Sequence, residues 1–346
     1  MGGATSNTER GGQPSRRRKL LFSLLALSAS LGACLLLAEA ILRLAGFSYE
    51  LRASVVQGAD AADLYSRYDG CDIDRDLIWA PKSYAERLEH ALAVQPDVLF
   101  AGDSCTELGS YDRDFVELVS AAFPGRTIRG ANVGVTGWST QQGLQQMRRD
   151  VSRIRPRVVT IYFGWNDHWN SVGLTDKEVM EFNASPLFHL HALRLMQLFT
   201  RGYVGWQRLR QSQLPLRVPL QNFRENLAEM VNLAREIGAV PVLLTAPEGH
   251  QRGHEPEQLA GRWITDLSQL IPLHREYAEA VRAVAREKNA VLCDLAAEFE
   301  KLPPDVVHDE LFQPDGVHLT NDGDRQIAGF LFRCFQENGL FERLLE

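Results

Sequence analysis

The longest apolar stretch of the chain stands near its start. From Leu20 to Ala38 there is no charged residue, close to the roughly 20 apolar residues that span a bilayer as a helix. Glu39 and Arg43 come next in a helical pattern that continues to about Gly46, and Arg16-Arg17-Arg18-Lys19 precedes the stretch. With the basic flank first, the positive-inside rule keeps residues 1–18 in the cytoplasm and exports the chain beyond Gly46. This predicts a disordered basic tail over 1–18, a transmembrane signal anchor over 19–46, and a stalk with an N-terminal extension over 47–92. Two other readings of the same stretch stand beside it. Leu31-Gly32-Ala33-Cys34 resembles a lipobox, although Leu35-Leu36-Leu37 comes next, where a mature lipoprotein turns polar. Ser15-Arg16-Arg17 is a partial twin-arginine match for a cleaved signal. All three export the remainder of the chain.

Past residue 92 the pattern alternates between short apolar runs and helical periodicity. Val98-Leu99-Phe100-Ala101 stops at a glycine as a buried strand does. Phe115 to Phe123 has helical spacing, 127–135 reads as a second strand and 139–153 as a second helix. Val158 to Phe163 is the clearest strand. After an insertion over about 168–220 without a clean period, Phe223, Leu227, Met230, Val231, Ala234 and Ile237 form one helical face closed by Gly238. Val240–Thr245 is a fourth strand, 277–288 a helix, Ala290–Leu295 a fifth strand and 322–337 the last helix. Strands alternating with helices predict an α/β domain over 93–346, a parallel sheet of five strands with helices on both faces. In such sheets ligands bind beyond the carboxyl ends of the strands.

Composition narrows the function. The chain has 346 residues and a net charge of -7, and it lacks the basic face that a nucleic-acid binder needs. Its five cysteines include no C-x-x-C pair, which argues against structural zinc. Four of them lie beyond the apolar stretch and can supply one or two bridges in an oxidising compartment. His189/His191 and His250/His254 lack an accompanying carboxylate helix for a metal site. Asp72-Ile73-Asp74 has no apolar strand before it and reads as a solvated loop.

Four motifs fall at the predicted strand ends or near the C-terminus. Gly102-Asp103-Ser104 succeeds the first strand, where a tight turn can present a serine at a helix start. Asn132-Val133-Gly134-Val135-Thr136-Gly137 ends the second, and its glycine N–H groups can face a substrate oxygen. Gly164-Trp165-Asn166-Asp167 ends the third, and Asn166 carries a neutral side-chain donor suited to an oxyanion. Asp315-Gly316-Val317-His318 precedes the last helix; an imidazole can take a serine proton and a carboxylate can fix its tautomer. Singly each is weak, since helix caps, turns and surface loops use the same residues.

In this order, over roughly 95–346, the four resemble the SGNH hydrolase family, the GDSL-like lipases and esterases. The resemblance assigns its four letters to Ser104, Gly137, Asn166 and His318, with Gly134 a secondary turn glycine. It implies a flavodoxin-like three-layer fold, no metal or organic cofactor, and a triad of Ser104, His318 and Asp315. The implied oxyanion hole comprises the N–H groups of Ser104 and Gly137 and the amide of Asn166. Cys105 after the nucleophile, and Trp138 and Trp165 beside the oxyanion residues, are two departures from the pattern; both are expected to narrow the acyl pocket. The expected activity is hydrolysis of carboxylic esters outside the cytoplasmic membrane, on a small molecule, lipid or envelope glycan. Acyl transfer to an exported polysaccharide and a non-catalytic binding module are the alternatives.

Overall fold

The computed structural model describes residues 16–49, 70–171, 173–211, 213–261 and 263–345. It divides into two compact units, one comprising 1–50 and 189–202 and the other 51–188 and 203–346. Most of the expected basic tail and of the stalk before residue 70 lies outside the described residues. In the first unit a single helix, Arg16–Leu44, covers the apolar stretch. It is long and apolar enough to cross a membrane by length and composition, and no residue of it is buried.

The larger unit opens with a two-stranded antiparallel hairpin, β1 (Cys71–Asp74) and β2 (Ile78–Pro81). Five parallel strands then form its sheet: β3 (Val98–Gly102), β4 (Gly130–Asn132), β5 (Val158–Tyr162), β6 (Val240–Leu244) and β7 (Val291–Cys293). They stand in the order β4-β3-β5-β6-β7. The central strands are buried on both faces, so their sequences read as largely apolar runs without polar alternation. Alternate side chains serve opposite cores. Leu99, Ala101, Val159 and Ile161 enter one, with the helices Tyr84–Val94, Leu220–Glu236 and Leu270–Lys288. Val98, Phe100, Val158 and Val242 enter the other, with the helices Tyr111–Ala122 and Asn321–Glu337. This is the expected three-layer α/β sandwich.

Several elements differ from expectation for local reasons. The second strand of the sheet shrinks to Gly130–Asn132 because the Asn132 side chain takes the Gly134 N–H and turns the chain. The N–H groups of Val133 and Val135 still reach the Phe100 and Gly102 carbonyls of β3. The helix after it runs Thr140–Gln146 and then widens into a π turn at Met147–Val151. The helix expected from 277 begins at Leu270; Pro272 sits in its first turn, where a missing N–H costs no intrahelical bond. Asp72-Ile73-Asp74 is not a loop but part of β1, and Asp74 ion-pairs with Arg149 at 2.8 Å. Of the cysteines, Cys293 on β7 and Cys334 on the last long helix form a disulfide with Cα atoms 5.7 Å apart.

Candidate active site

β3 is flanked by β4 on one side and β5 on the other, so the chain reverses direction across the sheet at its carboxyl end, where α/β sheets open a crevice. The loops leaving these three strands carry Ser104, Gly137 and Asn166. At the end of β3 a Cβ on Gly102 would stand 2.6 Å from the Tyr162 carbonyl and closer still to Thr106. Only glycine allows β3 and the succeeding turn to approach so closely. Asp103 then caps the short helix Ser104–Glu107, its Oδ1 accepting from the Cys105 N–H at 3.0 Å. Its Oδ2 accepts from Asn166 Nδ2 at 3.2 Å. Burial pushes the Asp103 carboxyl up to about 6 despite those bonds.

Ser104 Oγ lies 2.9 Å from His318 Nε2, and His318 Nδ1 lies 2.6 Å from Asp315 Oδ2. The other Asp315 oxygen accepts from the N–H groups of Val317 and His318, both at 2.9 Å. Burial raises the Asp315 carboxyl, but the His318 ring and these two N–H groups outweigh it and hold the group below the usual carboxylate range. The loop is braced from behind by a residue that the sequence presented only as a metal candidate. His250 Nε2 donates to the Asp315 carbonyl at 2.8 Å, and the Gly249 N–H donates to the Gly316 carbonyl at 3.0 Å. Burial lowers the His250 pKa, which favours the neutral ring for this role. Its position just past a strand end, after β6, was the available signal.

The loop after β4 is tied down at nearly every residue. Asn132 Nδ2 donates to the Thr106 carbonyl at 2.6 Å, and Glu107 accepts the Thr136 N–H at 2.6 Å. Gly137 has φ +80°, a left-handed conformation that suits glycine. Its carbonyl accepts from Arg217 Nη1 at 2.9 Å. Arg217 is wholly buried, pairs with Asp176 at 2.7 Å and reaches Gln142 Oε1 at 3.2 Å. Asp176 in turn accepts from Ser139 Oγ at 2.7 Å. Neither Asp176 nor Arg217 stands out in the sequence, since each lies in the insertion far from any motif.

Asp167 joins the third loop to the second by accepting from Thr140 N at 2.9 Å and from the Thr140 hydroxyl. Burial pushes its carboxyl up to about 7, against the pull of Thr140 and Arg217. A carboxyl whose folded pKa exceeds its unfolded value, near 3.8, takes up a proton on folding. Its contribution is therefore best at low pH and declines as pH rises to about 7. Asp167→Asn is expected to remove this decline. Wild type should lose up to about 1.4 kcal/mol per pH unit relative to the variant between roughly pH 4 and 7. Urea midpoints across that range check it, and parallel profiles for the two proteins would refute it.

The two indoles do not narrow a pocket as expected. Trp138 is buried in the core, its Nε1 donating to the Trp79 carbonyl at 3.2 Å. Trp165 is buried against the His274 ring, with centroids 3.8 Å apart. His274 donates from Nε2 to the Ala246 carbonyl at 2.9 Å, and burial holds its pKa down to about 3. His189 and His191 lie in the segment 186–192, away from the site residues in sequence. Among the described residues no group of three or more His, Cys, Asp or Glu could hold a metal ion.

A serine, a histidine and an aspartate hydrogen-bonded in series at the strand ends of a parallel α/β sheet define a class of acyl-transfer sites. Residues 100–326 match the GDSL-like Lipase/Acylhydrolase family. With about two thirds of its length in that match, the chain belongs to this family and is an ester-hydrolysing enzyme. It is 24% identical over 275 residues to the uncharacterized lipoprotein YqeF of Bacillus subtilis (strain 168), covering 71% of this chain and 90% of that protein. Among solved structures it is similar to a lipase/acylhydrolase from Enterococcus faecalis, with 22% identity, coverage of 70% and 95%, and a TM-score of 0.45. It is likewise similar to Axe2, an acetylxylan esterase from Geobacillus stearothermophilus, with 19% identity, coverage of 70% and 93%, and a TM-score of 0.43.

Proposed function

We propose that the chain is an extracytoplasmic, membrane-anchored serine esterase in which Ser104 is the nucleophile. The observation that carries this reading is the unbroken series Ser104 Oγ, His318 Nε2, His318 Nδ1, Asp315 Oδ2, with spacings of 2.9 and 2.6 Å. A serine hydroxyl attacks an ester only as a neighbouring base takes its proton. His318 Nε2 takes that proton while Oγ bonds to the ester carbonyl carbon. The carbonyl oxygen becomes an oxyanion, received by the N–H groups of Ser104 and Gly137 and the amide of Asn166. As the tetrahedral centre collapses, the alcohol departs with the proton from His318, leaving an acyl-serine. Water then repeats the sequence, giving its proton to His318, and the acid leaves as Ser104 is restored.

The basic flank before the apolar helix supports export of the larger unit. The Cys293–Cys334 disulfide supports it independently, since such bonds persist in oxidising compartments. An anchored esterase outside the cytoplasmic membrane meets envelope glycans and lipids, and acetyl or short acyl groups on these are the proposed substrates. The test uses the full chain in detergent. A fluorophosphonate should block hydrolysis of p-nitrophenyl acetate and add its mass to the peptide holding Ser104, and the Ser104→Ala protein should take up none there. Hydrolysis that survives the reagent, or label on a different residue, would remove Ser104 from this role.

A further inference from the structure

The apolar helix of the first unit is not alone there. Its own apolar run ends at Ala38, so Glu39 marks the level at which a spanning helix leaves hydrocarbon. At that level Glu39 accepts from the N–H groups of Arg194 and Leu195, at 3.1 and 2.8 Å. Arg43 pairs with Glu39 at 2.6 Å and donates to the Ala192 carbonyl at 3.1 Å, and Arg194 reaches Ser48 Oγ at 3.1 Å. The start of the helix Arg194–Arg210 is thus clasped to the end of the apolar helix.

The helix Arg194–Arg210 is two-faced in an unusual sense. Gln197, Thr200 and Val204 are buried. Phe199, Tyr203 and Trp206, four and three residues apart, are 62, 50 and 49% exposed, and Leu209 is 88% exposed. Outside the apolar helix, nine large hydrophobic side chains are exposed among the described residues. All but Leu108 and Leu118 lie between residues 190 and 209. Charge is segregated in the same place. Between Glu181 and Glu225 the chain has no acidic residue, in a protein of net charge -7, while Arg194, Arg201, Arg208 and Arg210 all belong to this helix. The Arg210 guanidinium stands 4.4 Å over the Trp206 ring.

We propose that the helix Arg194–Arg210 lies in the headgroup layer of the membrane that the Arg16–Leu44 helix crosses, with Phe199, Tyr203, Trp206 and Leu209 dipping toward the acyl chains. Tryptophan and tyrosine favour that layer because one edge of each ring is polar. Arginines beside an apolar stripe meet anionic headgroups, and such helices sink about 5–10 Å into the interface. The clasp at Glu39 delivers the helix start to that depth. A protein partner would have to bury the stripe against arginines that no acidic residue on this segment neutralises, so the charge pattern selects anionic lipid. The inference rests on the proposed anchor.

Full-length protein reconstituted into phosphatidylcholine vesicles containing phosphatidylglycerol tests it. Vesicle flotation reports the anchor. The emission of Trp206 is read as the difference between wild type and Trp206→Phe, a variant whose ester hydrolysis should be unchanged. With bromines placed high on the acyl chains, near the glycerol, the Trp206 component should fall at least about twofold, and it should fall less with bromines near the chain ends. Protein that floats while its Trp206 emission is indifferent to both lipids overturns the inference and leaves the anchor standing. Protein that does not float overturns both.

Discussion

An Asp315→Asn enzyme is expected to fold as the parent does and to turn over esters roughly 10⁴-fold more slowly. The fold should survive because one Asp315 oxygen serves the Val317 and His318 N–H groups, and an asparagine carbonyl oxygen accepts from both equally well. The loss comes from the other oxygen. Asp315 Oδ2 faces His318 Nδ1 at 2.6 Å and selects the tautomer with its proton on Nδ1. An amide NH₂ in that place donates to Nδ1, which moves the ring proton to Nε2. Nε2 then points a proton at Ser104 Oγ, 2.9 Å away, and has no lone pair with which to take one. Stopped assays on p-nitrophenyl acetate with circular dichroism as the fold control measure this. A rate within tenfold of wild type would show that Asp315 does not set the tautomer.

Asn166→Ala should lower kcat by about 10²–10³ and leave KM near its original value. In the resting protein Asn166 Nδ2 donates one hydrogen to Asp103 Oδ2 at 3.2 Å, which fixes the amide plane. In the proposed mechanism the second hydrogen on the same nitrogen meets the oxyanion. Because charge on the carbonyl oxygen grows only in the transition state, removing the donor removes stabilisation there and little in the ground state. Truncation also leaves Asp103 Oδ2 without a buried partner, so part of the effect should appear as lower stability. A variant with unaltered kcat would place the oxyanion elsewhere.

Much of this site was legible because each contributing group sits in a short contiguous motif, three of them just past strands and one before the last long helix. Gly102-Asp103-Ser104 and Asp315-Gly316-Val317-His318 announce themselves by spacing, and the strands before the first and third motifs announce themselves by short, largely apolar runs. The supports that hold the motifs in place were not legible. The Arg217 guanidinium meets the Gly137 carbonyl across 80 residues, and His250 meets Asp315 across 65. No local pattern encodes such pairs, because each partner is ordinary in its own neighbourhood. Trp138 and Trp165 misled in the opposite way. Their place beside Gly137 and Asn166 in sequence implied a place beside the substrate, yet Trp138 packs toward Trp79 and Trp165 against His274. The insertion lacked a clean period for a further reason. Its helix Arg194–Arg210 turns Phe199, Tyr203, Trp206 and Leu209 outward and buries Gln197 and Thr200, the reverse of a core-facing helix.

The Arg217–Asp176 pair gives the insertion over 168–220 a second significance. Both residues belong to it, both are buried, and together they grip the Gly137 carbonyl and Ser139. Removing one partner of such a pair costs on the order of 3–5 kcal/mol, because the other is left as an unpaired buried charge. Here the segment and the Gly137 loop are held together as one packed piece. A chimaera that borrows another enzyme's insertion without this aspartate and arginine would import a new surface and lose the support of the Gly137 loop. Point substitution on the outer side of the insertion, by contrast, leaves the Asp176–Arg217 grip on Gly137 and Ser139 intact.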